Sequence, residues 1–599
     1  MSKTSSLIKN TIIIALGKIS TQFISFLLLP LYTAYLAAGE FGVVDLITVI
    51  VSLAAPIIML SLEMAVFRFL IDGRGVKERQ ASIITNSLQM VIYSTLMVSL
   101  IYIIVMQFVT IPYAWLALGS VLASIGSNYC LQVARGFGDN VKYAIGSVIA
   151  GVSAILLNIL FIIVCKMGAT GMLLATVISN ILSTLYLIYS LKIQKYINTK
   201  LINTDQKREL LHYSLPLIPN GVSWWIINAA DRMIIAAMLG VTANGIYAVA
   251  YKFPQIFAAI YSFFGLSWTE SASVHIKSVD RDAFFSKVAN MSLRIFGSFG
   301  AILIVGVSVF FNILINVKYS EARLYVPLLI VGSLFNSIVG IYSAIYIAKK
   351  ETRQVLNTSM VAAIISILLS VVLTPFIGLY GPAVALIAAY LGMAIFRHFD
   401  IKKSIKIVYE PKAIIEIAVL YIICMGLYYA NSIYATAVNV VLIGVGVVII
   451  NKNTLKIAKD TILKKMRGLK QKQADKLTEE FMRKNLNDPR SYQLVERGRV
   501  DSLFSEFRAT NEAQYMLDKV KQITDSAARY SESLKTVPQA QKMLADGQRI
   551  LEEYKKKRKK FKSQFLGYAF KVSFRAKNEH GALVRSYVVF RLNPEMDKL

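Results

Sequence analysis

The sequence predicts an all-α polytopic membrane protein that is followed by a small α+β soluble domain. Of the 599 residues, 56% are hydrophobic and only 17% are charged, which is typical of membrane proteins. A helix needs about 20 mostly apolar residues to cross the hydrocarbon core, and fourteen segments before residue 452 meet that requirement. From Met466 onward the long apolar runs stop and charged residues become frequent. We therefore expect about fourteen transmembrane helices and a soluble tail.

The predicted spans are joined mostly by short links, so consecutive helices should be antiparallel neighbours. They lie near residues 11–36, 43–70, 81–108, 113–134, 143–165, 171–191, 213–238, 245–267, 288–315, 325–348, 355–375, 380–399, 413–430 and 436–451. Six spans fall in an N-terminal lobe and six in a C-terminal lobe, followed by two accessory spans and the tail. The corresponding domains are residues 1–210, 211–400, 401–465 and 466–599.

An internal echo favours the division into two lobes. Residues 39–45 (GEFGVVD) and 243–249 (ANGIYAV) each place a glycine at a turn just before an apolar helix, about 203 residues apart. Transporters built from parallel repeats show this kind of internal similarity. The alternative is that glycine is simply common in short loops.

The distribution of basic residues predicts the orientation. The links that lie outside when the N-terminus is cytoplasmic carry only three Lys or Arg residues: Lys166, Lys318 and Arg323. All the other basic links then face the cytoplasm, as the positive-inside rule requires. An even number of spans also returns the C-terminal domain to the cytoplasm. Both ends of the chain are therefore expected on the cytoplasmic side of the membrane.

The tail reads as helices followed by a β-hairpin. Helical patterns cover residues 466–484, 510–533 and 538–562, and two alternating segments flank residues 578–581 (NEHG). Such alternation around a polar turn is typical of a hairpin. The basic run at residues 555–560 suits an anionic lipid or nucleic acid, or is only a solvated helix end; we expect no nucleic-acid partner.

Ionisable residues inside the first, second and seventh to ninth spans are the candidate site. Charge at that depth is costly, so these side chains should face a bundle interior or water. The segment at residues 213–252 is central, because it places two adjacent charges and a lysine within two apolar spans. The predicted substrate-binding cations are Lys18, Arg68, Arg232, Lys252 and Arg294. The predicted charge-pairing or coupling acids are Asp45, Glu63 and Asp231.

A cavity lined by Lys and Arg would attract an anion such as a phosphate, and the acids would pair with these bases or bind a coupling proton or cation. Structural alternatives remain for several residues. Lys18 can snorkel to the inner surface, Arg68 can anchor the end of its span, and Asp45 can be a favourable charge at a helix N-terminus. Glu63 and Arg68 can form a pair at helical spacing.

The sequence indicates neither a cofactor nor catalysis. Three scattered cysteines, Cys130, Cys165 and Cys424, form no metal or disulfide pattern. The tail has no phosphate-binding loop, which disfavours ATP-driven pumping by this chain. We expect a transporter, not an enzyme.

Several motifs resemble the Wzx-type O-antigen and polysaccharide flippases of the multidrug and oligosaccharidyl-lipid exporter superfamily. They are Lys18, residues 40–42 (EFG), 134–136 (ARG), 213–220 (YSLPLIPN), 231–232 (DR) and 245–252 (GIYAVAYK). The resemblance implies twelve core helices in two lobes plus two accessory helices. It also implies an oligosaccharide on polyprenyl diphosphate as cargo, moved from the inner to the outer leaflet. Polysaccharide polymerase and chain-length proteins are the implied partners.

The tail departs from that family. Residues 485–489 (NLNDP), 491–492 (SY), 574–578 (FRAKN) and 581–583 (GAL) resemble small bacterial secreted or lipoprotein-type domains. Such domains are exported, whereas the predicted topology keeps this tail inside. Reuse of the fold in the cytoplasm, an odd number of spans and the joining of two reading frames are the open explanations.

Two other functions are the alternatives. A drug or cation antiporter of the same superfamily would want an acidic, aromatic cavity, and the excess of buried bases disfavours it. A membrane glycosyltransferase or O-antigen ligase would carry catalytic residues in sizeable external loops, and the predicted external links are short.

Overall fold

The computed structural model describes residues 26–486, 488–530, 537–578, 580 and 582–595. The chain divides into two compact units, Met1–Lys452 and Asn453–Leu599. The first unit contains the apolar helices and the second contains the polar tail, and each is described here by itself.

Helices dominate the first unit. Its described α-helices are α1 (Leu29–Tyr35), α2 (Ala38–Ile58), α3 (Leu62–Asp72), α4 (Lys77–Val105), α5 (Ala114–Phe137), α6 (Asn140–Asn158), α7 (Gly168–Leu191), α8 (Thr204–Ser214), α9 (Leu217–Leu239), α10 (Val241–His275), α11 (Arg281–Leu314), α12 (Val326–Ala348), α13 (Thr352–Ile377), α14 (Tyr380–Lys402), α15 (Pro411–Tyr429) and α16 (Ile433–Ile450). A π-helical turn, Ile159–Val164, extends α6.

Twelve helical segments of the described residues are long and apolar enough to cross a membrane. The predicted all-α polytopic class is therefore confirmed, and the protein is a multi-pass membrane protein. Two predicted spans are not among the twelve. The first lies mostly outside the described residues. The eighth corresponds to α10, a continuous helix that is less apolar because it contains several tyrosines, Lys252, Pro254 and Gln255.

The second predicted span is broken, not continuous. Leu60 and Ser61 have φ angles of 54° and 51°, and the chain turns between α2 and α3. A left-handed conformation costs roughly 1–2 kcal/mol per non-glycine residue and is therefore usually marked by a glycine. Because Leu60 and Ser61 are not glycines, the sequence does not reveal this break. The backbone N–H of Ser61 donates to the carbonyl of Pro56 at 2.8 Å, closing the turn.

The two largest hydrophobic clusters of the described residues lie in the membrane unit. One is built from α2–α5, α7 and α8, with Met59, Val66 and Leu70 buried in it. The other draws mainly on α9–α16, including Tyr247 and Phe257, and also takes in buried residues of α1 and the start of α2. The division into two lobes stays a prediction.

The two lobes meet where α2 crosses α10, and glycine is essential to that contact. A Cβ atom added to Gly42 would lie 1.9 Å from the carbonyl oxygen of Val241, and one added to Gly245 would lie 1.9 Å from that of Ala38. Asn244 reinforces the crossing, because its Nδ2 donates to the carbonyl of Gly42 at 3.0 Å. The two glycines of the internal echo thus contact each other at the helix ends that are predicted to be external.

The second unit is a small α+β domain, as predicted. Helix α17 (Lys452–Asn485) is followed by β1 (Gln493–Arg497), β2 (Asp501–Phe504), α18 (Asn511–Tyr530), α19 (Val537–Lys560), β3 (Phe565–Lys577) and β4 (Leu583–Leu592). The predicted hairpin is present: β3 pairs antiparallel with β4, from Tyr568 opposite Leu592 to Lys577 opposite Leu583. On its other edge β3 pairs with β1 and β2, which the sequence pattern did not reveal. Phe570, Val572 and Phe590 form its core with Ala474 of α17.

Candidate transport cavity

A buried layer of charge joins the two lobes. Asp231 and Arg232 lie on α9 with 7% and 5% of their surface exposed. Because adjacent helical residues point about 100° apart, they face different neighbours. The Arg232 Nε atom lies 3.1 Å from Oδ2 of Asp45 on α2, which is an ion pair between the lobes.

Aromatic and basic side chains of α10 complete this layer. The Arg232 guanidinium lies 4.2 Å from the ring centroid of Tyr251, a favourable cation–π geometry. Lys252 interacts electrostatically with both Asp45 and Arg232. Two acids and two bases therefore balance formally in the layer defined by Asp45, Asp231, Arg232 and Lys252, which we call the charged layer.

Neutral polar groups hold the charged layer in place. The Arg232 Nη1 atom donates to the carbonyl of Asn228 at 3.3 Å, and the hydroxyl of Tyr390 donates to Oδ1 of Asn228 at 2.8 Å. Tyr390 belongs to α14, so three helices of the second lobe fix the position of the arginine. A buried ion pair that is anchored in this way is costly to break from one side only.

A cavity of about 680 Å³ lies between α10 and α12 of the second lobe, with Arg135 as its one described lining residue from the first lobe. Its described lining comes from α5, α9, α10 and α12, and includes Arg135, Trp224, Glu270 and Asn336. At 1.5 Å per residue, Trp224 lies about 12 Å along α9 from Arg232, on the side away from the glycine crossing. The charged layer and the crossing therefore separate this cavity from the helix ends predicted to be external.

The cavity is less basic than the sequence predicted. Among its described lining residues the only cation is Arg135 and the only acid is Glu270; the others are aromatic, aliphatic, hydroxyl or amide residues. Arg135 is held by a hydrogen bond to Oε1 of Gln132 at 3.0 Å and stacks on Phe67 at 4.4 Å. Arg232 and Lys252 lie deeper, in the charged layer, and not in the cavity lining.

The other predicted site residues that the structure describes, Arg68, Glu63 and Arg294, are not brought together with the charged layer. Lys18 lies outside the described residues. Arg68 pairs with Asp72 at 2.6 Å instead of with Glu63. One carboxylate oxygen of Glu63 is buried without a hydrogen-bond partner among the described residues.

Arg294 faces the accessory helices. Its Nη2 atom lies 2.7 Å from Oε2 of Glu410 and 3.8 Å from Oε2 of Glu416. Its Nη1 atom donates to the carbonyl of Ile450 at 3.2 Å. These contacts fasten α15 and α16 to α11, which is a structural use of the charge.

Two arginines were missed by the sequence reasoning. Arg135 lies at the end of its span within the ARG motif, which the sequence analysis used for the family resemblance but not as part of the site. Arg397 is fully buried in α14, where its guanidinium donates to hydroxyls and carbonyls of α12 and α13, including Oγ1 of Thr358 at 2.7 Å and the carbonyl of Val339 at 3.3 Å. It lies near the end of the predicted span 380–399, and the sequence analysis did not include it among the candidates.

A second cavity is larger but unsuited to an anion. It has a volume of about 790 Å³ and lies between α11, α12, α14 and α15, lined almost wholly by apolar side chains with Lys402 and His398 at one end. Its chemistry favours hydrocarbon. The cavity between α10 and α12 remains the candidate site.

The fold is similar to that of solved membrane transporters. Over 75% of this chain and 99% of the other, the fold matches the lipid II flippase MurJ in an inward closed conformation, with a TM-score of 0.57 and 14% identity. It also matches an inward-facing multidrug resistance MATE family transporter of the MOP superfamily over 65% of this chain and 98% of the other, with a TM-score of 0.53 and 15% identity.

The sequence comparison covers less of the chain than the fold comparison does. Residues 7–268 match the family described as polysaccharide biosynthesis protein. No curated protein matches the chain significantly. The family match and the fold together confirm the predicted resemblance to polysaccharide flippases and their exporter superfamily. The likeness of the tail to lipoprotein-type domains stays a prediction.

Proposed function

We propose that this protein is a flippase for polyprenyl-diphosphate-linked oligosaccharide, such as an O-antigen, capsule or exopolysaccharide repeat unit. The cargo enters the cavity between α10 and α12 from the cytoplasmic leaflet and leaves in the periplasmic leaflet of the bacterial inner membrane. The cargo's polyprenyl chain stays in the bilayer while its polar part crosses. Polymerase and chain-length proteins would act on the product.

The observation that carries this proposal is the ion pair between Arg232 and Asp45, which lies between the cavity and the helix ends predicted to be external. Opening the external side moves α2 away from α9 and α10, which separates Arg232 from its carboxylate. A buried arginine left without a partner is strongly unfavourable, by about 3–5 kcal/mol. Without cargo, the pair therefore keeps the external side closed.

An anionic cargo removes this obstacle. A diphosphate that reaches Arg232 and Lys252 supplies the negative charge that Asp45 gives up, and arginine offers forked hydrogen bonds to phosphate oxygens. A ligand shifts a conformational equilibrium only by binding one state better than the other, and this exchange of partners provides the difference. Released Asp45, with Asp231 nearby, is then available to a coupling proton or cation.

Arg68 and Arg294 take structural roles in this proposal, because both have carboxylate partners away from the charged layer. Lys18 stays a candidate for cargo contact on sequence grounds alone. Arg135 joins the site as a first contact for phosphate at the cytoplasmic end of the cavity.

A drug or cation antiporter is the second candidate. Glu270 and the aromatic residues Trp224, Phe257 and Tyr261 in the cavity favour it, because a lipophilic cation would bind such a surface. The two functions differ in the sign of the cargo's charge. Substitution of Glu270 should abolish antiport but leave polysaccharide export largely intact.

The genetic test deletes the gene and measures polyprenyl-linked repeat units on the inner leaflet and polysaccharide at the cell surface. Accumulation of the former and loss of the latter are expected, with rescue by the wild-type gene. Arg232→Ala should insert normally but fail to rescue, whereas Arg68→Ala should rescue. Unchanged surface polysaccharide in the deletion strain would contradict the proposal.

A further inference from the structure

We propose that the wall formed by α10 and α12, together with Trp224 of α9, is a surface that recognises uncharged sugars. This inference rests on the proposed function, because it assumes that the cavity holds a lipid-linked oligosaccharide. The residues that would select the sugar are uncharged, and they differ from the basic residues that would bind the diphosphate. Asn336, Trp224 and Tyr261 are the proposed specificity residues.

Charge and neutral polarity are separated along the cavity. Arg135 lies near the end of α5 and Glu270 lies near the end of α10, so both charges sit toward the ends predicted to be cytoplasmic. Asn336 lies at the middle of α12, deeper between the helices. The described lining of the cavity therefore has Arg135 and Glu270 at its cytoplasmic end and only uncharged residues around Asn336, a region that we call the neutral middle. The charged layer lies beyond the neutral middle.

The neutral middle offers hydrogen-bonding groups that the protein itself does not use. Asn336 and Trp224 line the cavity and are half-buried, and neither side chain makes a hydrogen bond to another described residue. Tyr261 also lines the cavity, and its hydroxyl is buried without a partner among the described residues. A buried polar group loses free energy unless a ligand, water or protein group pairs with it, and the amide of Asn336 and the indole N–H of Trp224 are accessible to a ligand.

Several hydroxyls of this wall are already oriented. Ser262 donates to the carbonyl of Ala259 at 2.7 Å, and Ser337 donates to that of Leu334 at 2.6 Å. A hydroxyl has one donor and two acceptor lone pairs, so such oxygens remain able to accept. A ligand that presents many O–H donors matches this wall.

Aromatic surface adds shape to the same wall. Phe257 and Tyr261 line the cavity together with Trp224, and aromatic faces with a polar tip suit ligands that are partly apolar and partly hydroxylated. A sugar ring has apolar C–H groups on its faces and hydroxyl groups around its edge, so it matches such a surface. A uronic acid or another anionic sugar would instead need a cation in the neutral middle, and the described lining has none there.

The test compares two probes on the full-length protein in nanodiscs: undecaprenyl diphosphate alone, and undecaprenyl diphosphate carrying a trisaccharide of uncharged hexoses. We expect the wild-type protein to bind the second about tenfold more tightly. Asn336→Leu should reduce that ratio roughly fivefold, the effect of one lost neutral hydrogen bond, and Trp224→Leu should also reduce it. The ratio, not either affinity alone, is the readout.

Trp115→Leu is the matched control, because Trp115 is exposed at the opposite end of α5 and lies outside the cavity lining; its ratio should equal that of the wild type. A probe carrying a hexuronic acid should bind less tightly than the uncharged one. An unchanged ratio in both Asn336→Leu and Trp224→Leu would overturn the inference. Failure of the wild-type protein to bind undecaprenyl diphosphate at all would instead overturn the proposed function.

Discussion

The glycine crossing between α2 and α10 gives the sharpest structural prediction. In Gly245→Ala the new methyl group would lie 1.9 Å from the carbonyl oxygen of Ala38. Ordinary carbon contacts have optimal separations of about 3.5–4.0 Å, so the helices must move apart by more than 1 Å. The closed external side of the cavity should therefore be destabilised relative to an open one.

The magnitude follows from the contacts that this movement breaks. The hydrogen bond from Asn244 to the carbonyl of Gly42 is neutral and buried, and such a bond contributes about 0.5–1.5 kcal/mol. Lost packing along the crossing adds to this. Each 1.4 kcal/mol is a tenfold change in an equilibrium constant, so we expect the open population to rise by about tenfold or more.

Spin labels at Phe108 and Val317, which are 84% and 80% exposed, report the separation of the two lobes on the predicted external side. With Cys165 replaced by serine, Gly245→Ala should shift the distance distribution to longer values. Gly306→Ala is the matched control, because a Cβ there meets nothing within 4 Å, and it should leave the distribution unchanged. A wild-type distribution in Gly245→Ala would refute the steric argument.

Three further outcomes are expected. Arg232→Gln should lower the free energy of unfolding of the detergent-solubilised protein by about 3–5 kcal/mol, because Asp45 loses its buried ion-pair partner. Asp45→Asn added to the same chain should restore stability but not transport. Arg294→Gln should loosen the accessory helices by breaking the 2.7 Å contact with Glu410, seen as faster hydrogen exchange there with cargo binding retained; equal exchange would argue against the fastening role. Phe570→Ala should cost about 3–5 kcal/mol and make the tail protease-sensitive while the membrane unit stays resistant; a resistant tail would contradict the assigned core.

Much of the membrane part could be predicted because bilayer crossing constrains sequence strongly. An apolar run of sufficient length is visible without any tertiary information. The charges inside such runs include Asp45, Asp231, Arg232 and Lys252, which the structure brings together in the charged layer; their role in binding cargo stays a prediction. The break at Leu60 could not be predicted, because its left-handed residues are not glycines and depend on surrounding packing. Likewise β1 and β2 are short and largely exposed, so their pairing with β3 leaves little alternation in the sequence.

The cavity was harder to predict than the buried charges. Asn336 and Trp224 are ordinary residues in apolar helices, and only the arrangement of α5, α9, α10 and α12 makes them neighbours of one space. Arg294 illustrates the converse: its depth in a span suggested cargo contact, but the partners Glu410 and Glu416 come from helices more than 100 residues later. Depth predicts that a charge needs a partner, and only the fold reveals whether that partner is cargo or protein.

Transfer of cargo between leaflets by the purified protein tests the central claim most directly. In proteoliposomes with an undecaprenyl-diphosphate oligosaccharide, a membrane-impermeant glycosidase added outside digests only the outer-leaflet pool. The wild-type protein should allow digestion to continue past that pool, and Arg232→Ala should stop it near the level of protein-free vesicles. Equal digestion with the two proteins would contradict the claim that the charged layer moves the diphosphate.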